Sequence, residues 1–206
     1  MTRARLLLCI ASALGVPRLA AQSPRLESRV PAAVLAAVTP IIDSARAAGL
    51  PIAPLEQKVL EGVTKQADAS LIAAALRRLA GELAVARAAL GARATDRELL
   101  AGAGALRAGL TRGDLAGVRT ARGDQDVAVA LEVTTDLISR GVPADTATRA
   151  VVSVLKTGGS DRDLDQLRTG VERDVAGGMA AGVAAALRAR VLGGADAAPP
   201  PPPKPH

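Results

Sequence analysis

The chain has 206 residues and a mass of 20.7 kDa, with 49 % hydrophobic and 22 % charged residues, one Cys, one His and no Phe, Tyr or Trp. That length suits one domain, and 46 alanines supply much of the apolar share, so any core must rest on Leu, Val and Ile. The net charge is +6; with Cys9 near the start and His206 at the end, composition argues against most metal sites, triads built on Cys or His, and aromatic stacking platforms.

Arg3 and Arg5 precede an apolar stretch from Leu6 to Val16, and Leu19-Ala20-Ala21-Gln22 follows. A basic start, a short apolar helix and small residues form the order of a secretory signal peptide, predicted over 1–21. Cleavage is expected after Ala21, with Ala20 and Ala13 as alternatives. The apolar stretch is too short for a permanent anchor, which needs about 20 residues. Cys9 follows Leu8, where lipidation wants a small residue. The mature chain is therefore expected to be periplasmic or secreted, with no stable membrane span and no disulfide. Removing Arg3, Arg5 and Arg18, with no acidic residue, lowers the net charge from +6 to +3. The remaining cations are scattered among Asp and Glu as on a solvated helix surface, so no nucleic acid is expected as a partner.

Residues 22–194 read as one all-α domain of seven to nine helices. Ile72, Ala75, Leu76, Leu79, Leu83, Ala86 and Leu90 recur at steps of three and four, as do Leu99, Ala103, Leu106 and Leu110, and strand alternation is absent. Thr95 with Glu98 and Ser160 with Asp163 read as capping boxes, while Gly49, Gly91, Gly141 and Gly193 fall where helices would stop. Pro40 is expected to start a helix or kink one. Gly62-Val63-Thr64-Lys65, Gly109-Leu110-Thr111-Arg112 and Leu155-Lys156-Thr157 mark three similar helical hairpins about 46 residues apart, the outer two aligning without gaps. Periods of this size belong to stacked helix pairs, predicting a short array or a compact bundle. Residues 195–206, with Pro199 to Pro203, form a proline-rich tail read as a spacer or a ligand for a proline-binding groove.

Four carboxylates, Asp161, Asp163, Asp165 and Glu172, match positions 1, 3, 5 and 12 of a calcium-binding loop. Gln166 stands where that loop needs Gly, and the apolar stripe Leu164, Leu167, Val171, Val175 runs through it, so the segment reads as a helix start with acidic residues complementing its dipole. Two Arg-Gly-Asp triplets, at 112–114 and 122–124, read as a cation in a last turn, a glycine stop and an Asp opening the next helix. Lys65, Arg112 and Lys156 hold similar places in the hairpins and could line one basic edge for a phosphate- or carboxylate-rich polymer. Ser153-Val154-Leu155-Lys156 has the Ser-x-x-Lys spacing of a nucleophile but lacks the separate companion motifs such enzymes carry. No cofactor is expected.

Gly49-Leu50-Pro51 followed by Lys58-Val59-Leu60-Glu61-Gly62 and Lys65 resembles a segment of uncharacterised secreted bacterial proteins, which carry Gly-x-Pro, Lys-x-x-Glu-Gly and a following Lys-Gly. Here Gln66 replaces that last Gly. The likeness covers Gly49 to Gly91, implies an exported bacterial protein, and transfers no catalytic residue. The expected function is non-enzymatic binding or scaffolding of a protein or cell-envelope partner. The alternative is a polyanion-binding module using Lys65, Arg112 and Lys156.

Overall fold

Six of the helix connections repeat one hydrogen-bonded turn, and the turn explains the architecture. At each, the N–H of a residue with positive φ bonds back to the third carbonyl before it, and the next N–H reaches the fifth carbonyl before itself, all at 2.9–3.1 Å. Leu50 N–H thus reaches Ala45 O, Leu110 reaches Ala105, and Val142 reaches Leu137. These pairs satisfy carbonyls that a helix end leaves open and fold the chain back at once. The residue at positive φ is Gly49, Gly109, Gly141, Gly158 or Gly178 in five cases and Gln66, at φ 54, in the sixth. A side chain in that region is strained, so Gln66→Gly is expected to stabilise the protein by up to about 1 kcal/mol, read as a raised melting temperature.

The computed structural model describes Leu26 and residues 28–193. The expected signal peptide (1–21) and the proline-rich tail (195–206) lie outside the described residues. Among those described, the chain forms nine helices and no strand: α1 (Ala32–Ala47), α2 (Ala53–Thr64), α3 (Ala69–Leu90), α4 (Asp96–Arg107), α5 (Arg112–Arg122), α6 (Ala128–Ser139), α7 (Ala144–Lys156), α8 (Asp161–Ala176) and α9 (Ala181–Gly193). Pro40 lies inside α1, which runs through it without starting a second helix. The expected hairpins fall on α2–α3, α4–α5 and α7–α8; α2 packs on α3, but α4 barely touches α5 and α7 barely touches α8, each packing chiefly on other helices. Between the second and third stands α6, so the third hairpin enters the stack in the opposite phase.

Each substantial contact joins helices one or two places apart. α1, α3, α5, α7 and α9 pack in one row and α4, α6 and α8 in a second, with α2 against α3. The two ends of the chain's helical run therefore sit at opposite ends of an open array. Connections α1–α2, α3–α4, α5–α6 and α7–α8 share its lower edge, where Arg87 donates to Gly49 O at 2.9 Å, Arg93 faces Asp124 at 3.3 Å, and Arg122 donates to Gly159 O at 2.9 Å. The other four turns form the upper edge.

Leu55, Leu76, Leu83, Leu99, Leu115, Leu131, Leu137, Leu164 and Leu167 are fully buried and supply the largest core side chains. Buried alanines between them let helices approach closely where no aromatic ring fills the space. Gly102 marks a close crossing of this kind, where α4 meets α3 and α5. A Cβ there would meet Ala86 Cβ at 2.9 Å and Leu115 Cδ2 at 3.2 Å, whereas one at Gly104 would meet nothing within 4 Å. Gly102→Leu is expected to cost about 1–3 kcal/mol by overpacking. Gly104→Ala, gaining helix propensity of about 0.8–1 kcal/mol, should raise the melting temperature in the same assay.

Candidate functional site

α3 and α5 are the helices that do not end in the repeated turn. Gly91 (φ 94) and Gly123 (φ 66) instead open two five-residue loops, 91–95 and 123–127, which lie side by side on the lower edge. Between them is a cleft of about 460 Å³ with Thr95, Glu98, Arg119, Asp124 and Asp126 on its walls. Its centre is Glu98, which is 4 % exposed, the one buried carboxylate among the described residues.

Local sequence explains how Glu98 reaches this place. Thr95 caps α4 by accepting the Glu98 N–H at 3.2 Å, and Glu98 Oε2 accepts the Thr95 N–H at 2.8 Å, the predicted capping box. The other oxygen, Oε1, accepts the Val127 N–H at 3.1 Å and pairs with the Arg119 guanidinium. Arg119 in turn donates to Gly123 O at 3.1 Å and Gln125 O at 2.8 Å, so one carboxylate and one guanidinium tie both loops together. Burial pushes the Glu98 carboxyl up, but the Thr95 and Val127 N–H groups and Arg119 outweigh it and hold the group below its ordinary value. The lower edge repeats the device. Arg87 in the last turn of α3 donates to Ala92 O at 2.8 Å, and Arg122, whose side chain is 8 % exposed, pairs with Asp161 and bonds Gly159 O. A planar guanidinium with five donors can hold several carbonyls at once, which an ammonium cannot do in fixed geometry. That accounts for arginine, not lysine, at these helix ends.

The structure uses the four α8 carboxylates separately. Asp163 completes the predicted capping box with Ser160, accepting its N–H at 2.7 Å, and the Ser160 hydroxyl bond and that N–H lower its pKa. Asp161 pairs with Arg122, Asp165 with Arg168 at 2.5 Å, and Glu172 with Arg140 at 3.0 Å. No group of three or more His, Cys, Asp or Glu among the described residues is arranged to hold a metal ion.

Lys65 and Arg112 stand at helix ends of the upper edge, while Lys156 ends α7 on the lower edge, so α6 divides the three. Lys65 is moreover held by Glu61 at 2.5 Å. The Lys58 and Lys65 ammonium groups bring the Glu61 carboxyl down to about 2. The two Arg-Gly-Asp triplets also differ from their sequence reading. Arg112-Gly113-Asp114 forms the first turn of α5, with Thr111 as cap and Asp114 closing a third capping box. Arg122 and Gly123 do end α5, but Asp124 lies in the loop and Val127 precedes α6.

No family model, curated protein or solved structure matches the chain. The functional reading accordingly rests on its own surfaces. The second notable one is α9, where Val183 (56 % exposed), Leu187 (44 %) and Val191 (68 %) form a stripe at i, i+4 and i+8. They are three of the six exposed large hydrophobic residues among those described. The opposite face of α9 buries Ala184, Ala185 and Ala189 against α7 and α8, so apart from Arg188, which pairs with Asp174, and exposed Arg190 this helix is apolar, and the described residues cover only part of it. Such a helix ordinarily lies in an interior. No helix is long and apolar enough to cross a membrane among the described residues.

Proposed function

We propose that this is an exported, non-enzymatic helical array that works by contact, binding or scaffolding a protein or cell-envelope partner. The observation that carries the reading is α9: the last helix of an open array ordinarily turns a polar face to water, and this one presents Val183, Leu187 and Val191. Large apolar surface at the end of a repeat stack supports docking. The buried charges on the lower edge support the same reading from the other side, because Glu98, Arg119 and Arg122 are engaged in holding loops and so keep the array's shape fixed.

Export is tested by the mature terminus. The processed protein is expected to begin at Gln22, read by intact mass of the chain recovered outside the cytoplasm; a chain found only inside the cytoplasm with Met1 and the leader intact would remove the export reading. Contact is tested by placing a photo-reactive side chain at Leu187 and, as a control, at exposed Arg149. Adducts from Leu187 and not from Arg149 are expected in cells, and their absence would remove the docking reading.

A further inference from the structure

The chain holds three sulfur atoms, in Met1, Cys9 and Met179, and the first two lie in the expected leader. With no Phe, Tyr or Trp and its single His at position 206, the rest of the chain offers an oxidant little besides Met179. That residue stands in the turn between α8 and α9. In the six repeated turns the residue following the positive-φ position is Leu50, Ala67, Leu110, Val142, Gly159 or Met179. Leu50, Leu110 and Val142 are buried, the apolar contact that ordinarily accompanies such a turn. Met179 holds this place before α9: it is half-buried, packs against the core, and its N–H bonds Asp174 O at 3.0 Å.

Asp174 also ties α9 down through its side chain. Its carboxylate accepts from Arg188 Nε at 2.6 Å and from a second Arg188 nitrogen at 2.5 Å, and the Arg188 stem lies over Gly170, where a Cβ would meet Arg188 Cδ at 2.9 Å. Apart from these contacts α9 has little to hold it, since each of its buried residues is Ala or Gly. The anchor at Met179 and the Asp174–Arg188 pair therefore meet at one residue of α8.

We propose that Met179 is a peroxide-sensitive modification site and that its sulfoxide loosens α9 from α8. A sulfur lone pair attacks one peroxide oxygen; the S–O bond forms, the O–O bond breaks, and the departing oxygen leaves as water after proton transfer. Sulfur is oxidised by two electrons and the peroxide is reduced. Partial exposure admits so small an oxidant. The new S=O group is polar, and keeping it against apolar side chains without a hydrogen-bond donor is costly, so the residue leaves its place in the turn. The Met179 N–H then draws away from Asp174, the residue that positions Arg188. Methionine sulfoxide can be reduced enzymatically, which makes the change reversible.

Hydrogen exchange of the full chain before and after treatment with hydrogen peroxide tests this, with peptide mass spectrometry confirming one added oxygen on Met179. Protection of the α9 amides is expected to fall about tenfold, the loss of a partly buried apolar anchor, while α1–α5 stay unchanged. Met179→Leu keeps an apolar side chain of similar volume and should protect α9 equally with and without peroxide. Because that variant retains Met1 and Cys9, it separates their oxidation from that of Met179. Met179→Gln should lower α9 protection with no peroxide added. A chain fully oxidised at Met179 with unchanged α9 protection overturns the proposal. So does a native chain in which Met179 resists peroxide until it is unfolded, or an equal peroxide effect in Met179→Leu. None of these results bears on the contact reading, which is decided by cross-linking from Leu187.

Discussion

Glu98→Ala is expected to lower the stability of the protein by about 3 kcal/mol, more than any other single change on its polar surfaces. Breaking a buried ion pair costs roughly 3–5 kcal/mol because one charge is left without its partner. The lower end applies because 22 % of the Arg119 side chain stays exposed and water can reach it. The variant also strands the Thr95 and Val127 N–H groups and releases Arg119 from the position that holds Gly123 and Gln125 carbonyls. Loops 91–95 and 123–127 should lose hydrogen-exchange protection together. Acid unfolding supplies an independent reading. Since the folded pKa of Glu98 lies below its ordinary 4.5, its contribution is complete above about that pH and fades as pH falls through the folded value. In Arg119→Ala burial remains while the cation is gone, so the fade should move to higher pH. Glu98→Gln should show no such component. Equal acid profiles for the parent and Arg119→Ala would overturn the assignment.

Capping boxes and apolar stripes were legible locally, whereas the Arg-Gly-Asp triplet at 112–114, read as a helix stop, opens α5 instead, and the other departures turn on long-range information. Thr95 and Glu98 are three residues apart, and so are Ser160 and Asp163; both capping boxes follow from backbone geometry that needs nothing else of the fold. The stripe from Ile72 to Leu90 is buried apart from half-exposed Ala75, because a 3.6-residue period fixes one face of a helix whatever it packs against. Arg119 is 21 residues from Glu98, and no local pattern joins them. Likewise Lys65, Arg112 and Lys156 look equivalent within their hairpins, yet one intervening helix, α6, moves Lys156 to the other edge. Helix existence was legible, but row and edge depend on counting every helix between. Pro40 shows a further limit. Its missing N–H removes one helical bond, which packing of Val34, Val38, Ile42 and Ala45 offsets. The α9 stripe had a visible signal, apolar residues at i, i+4 and i+8 on a helix already rich in alanine, but only the packing of α9 shows that the described residues leave it uncovered.

Leu131→Ala should be the most damaging core substitution tested, and its mode of failure matters more than its size. Leu131 is fully buried in α6, and replacing a buried Leu by Ala costs about 2–5 kcal/mol. The upper part of that range is expected, because neighbouring alanines and valines are short and cannot reach into the space left. In a closed bundle such a loss is shared by the whole domain. Here α6 is the element on which α4, α7 and α8 all pack, while α1 and α9 make no substantial contact with each other. Stability in such an array is close to a sum of local interfaces, so damage at α6 weakens the coupling between α1–α5 and α7–α9. Calorimetry should then show a broadened or split transition in place of one cooperative step, with hydrogen exchange locating the lower-melting part in α7–α9. Leu71→Ala, at a residue 62 % exposed on α3, should leave a single transition within about 0.5 kcal/mol of the parent. A uniform downward shift of one sharp transition in Leu131→Ala would mean that the two halves are coupled beyond the contacts of α6 and the α5–α7 pair.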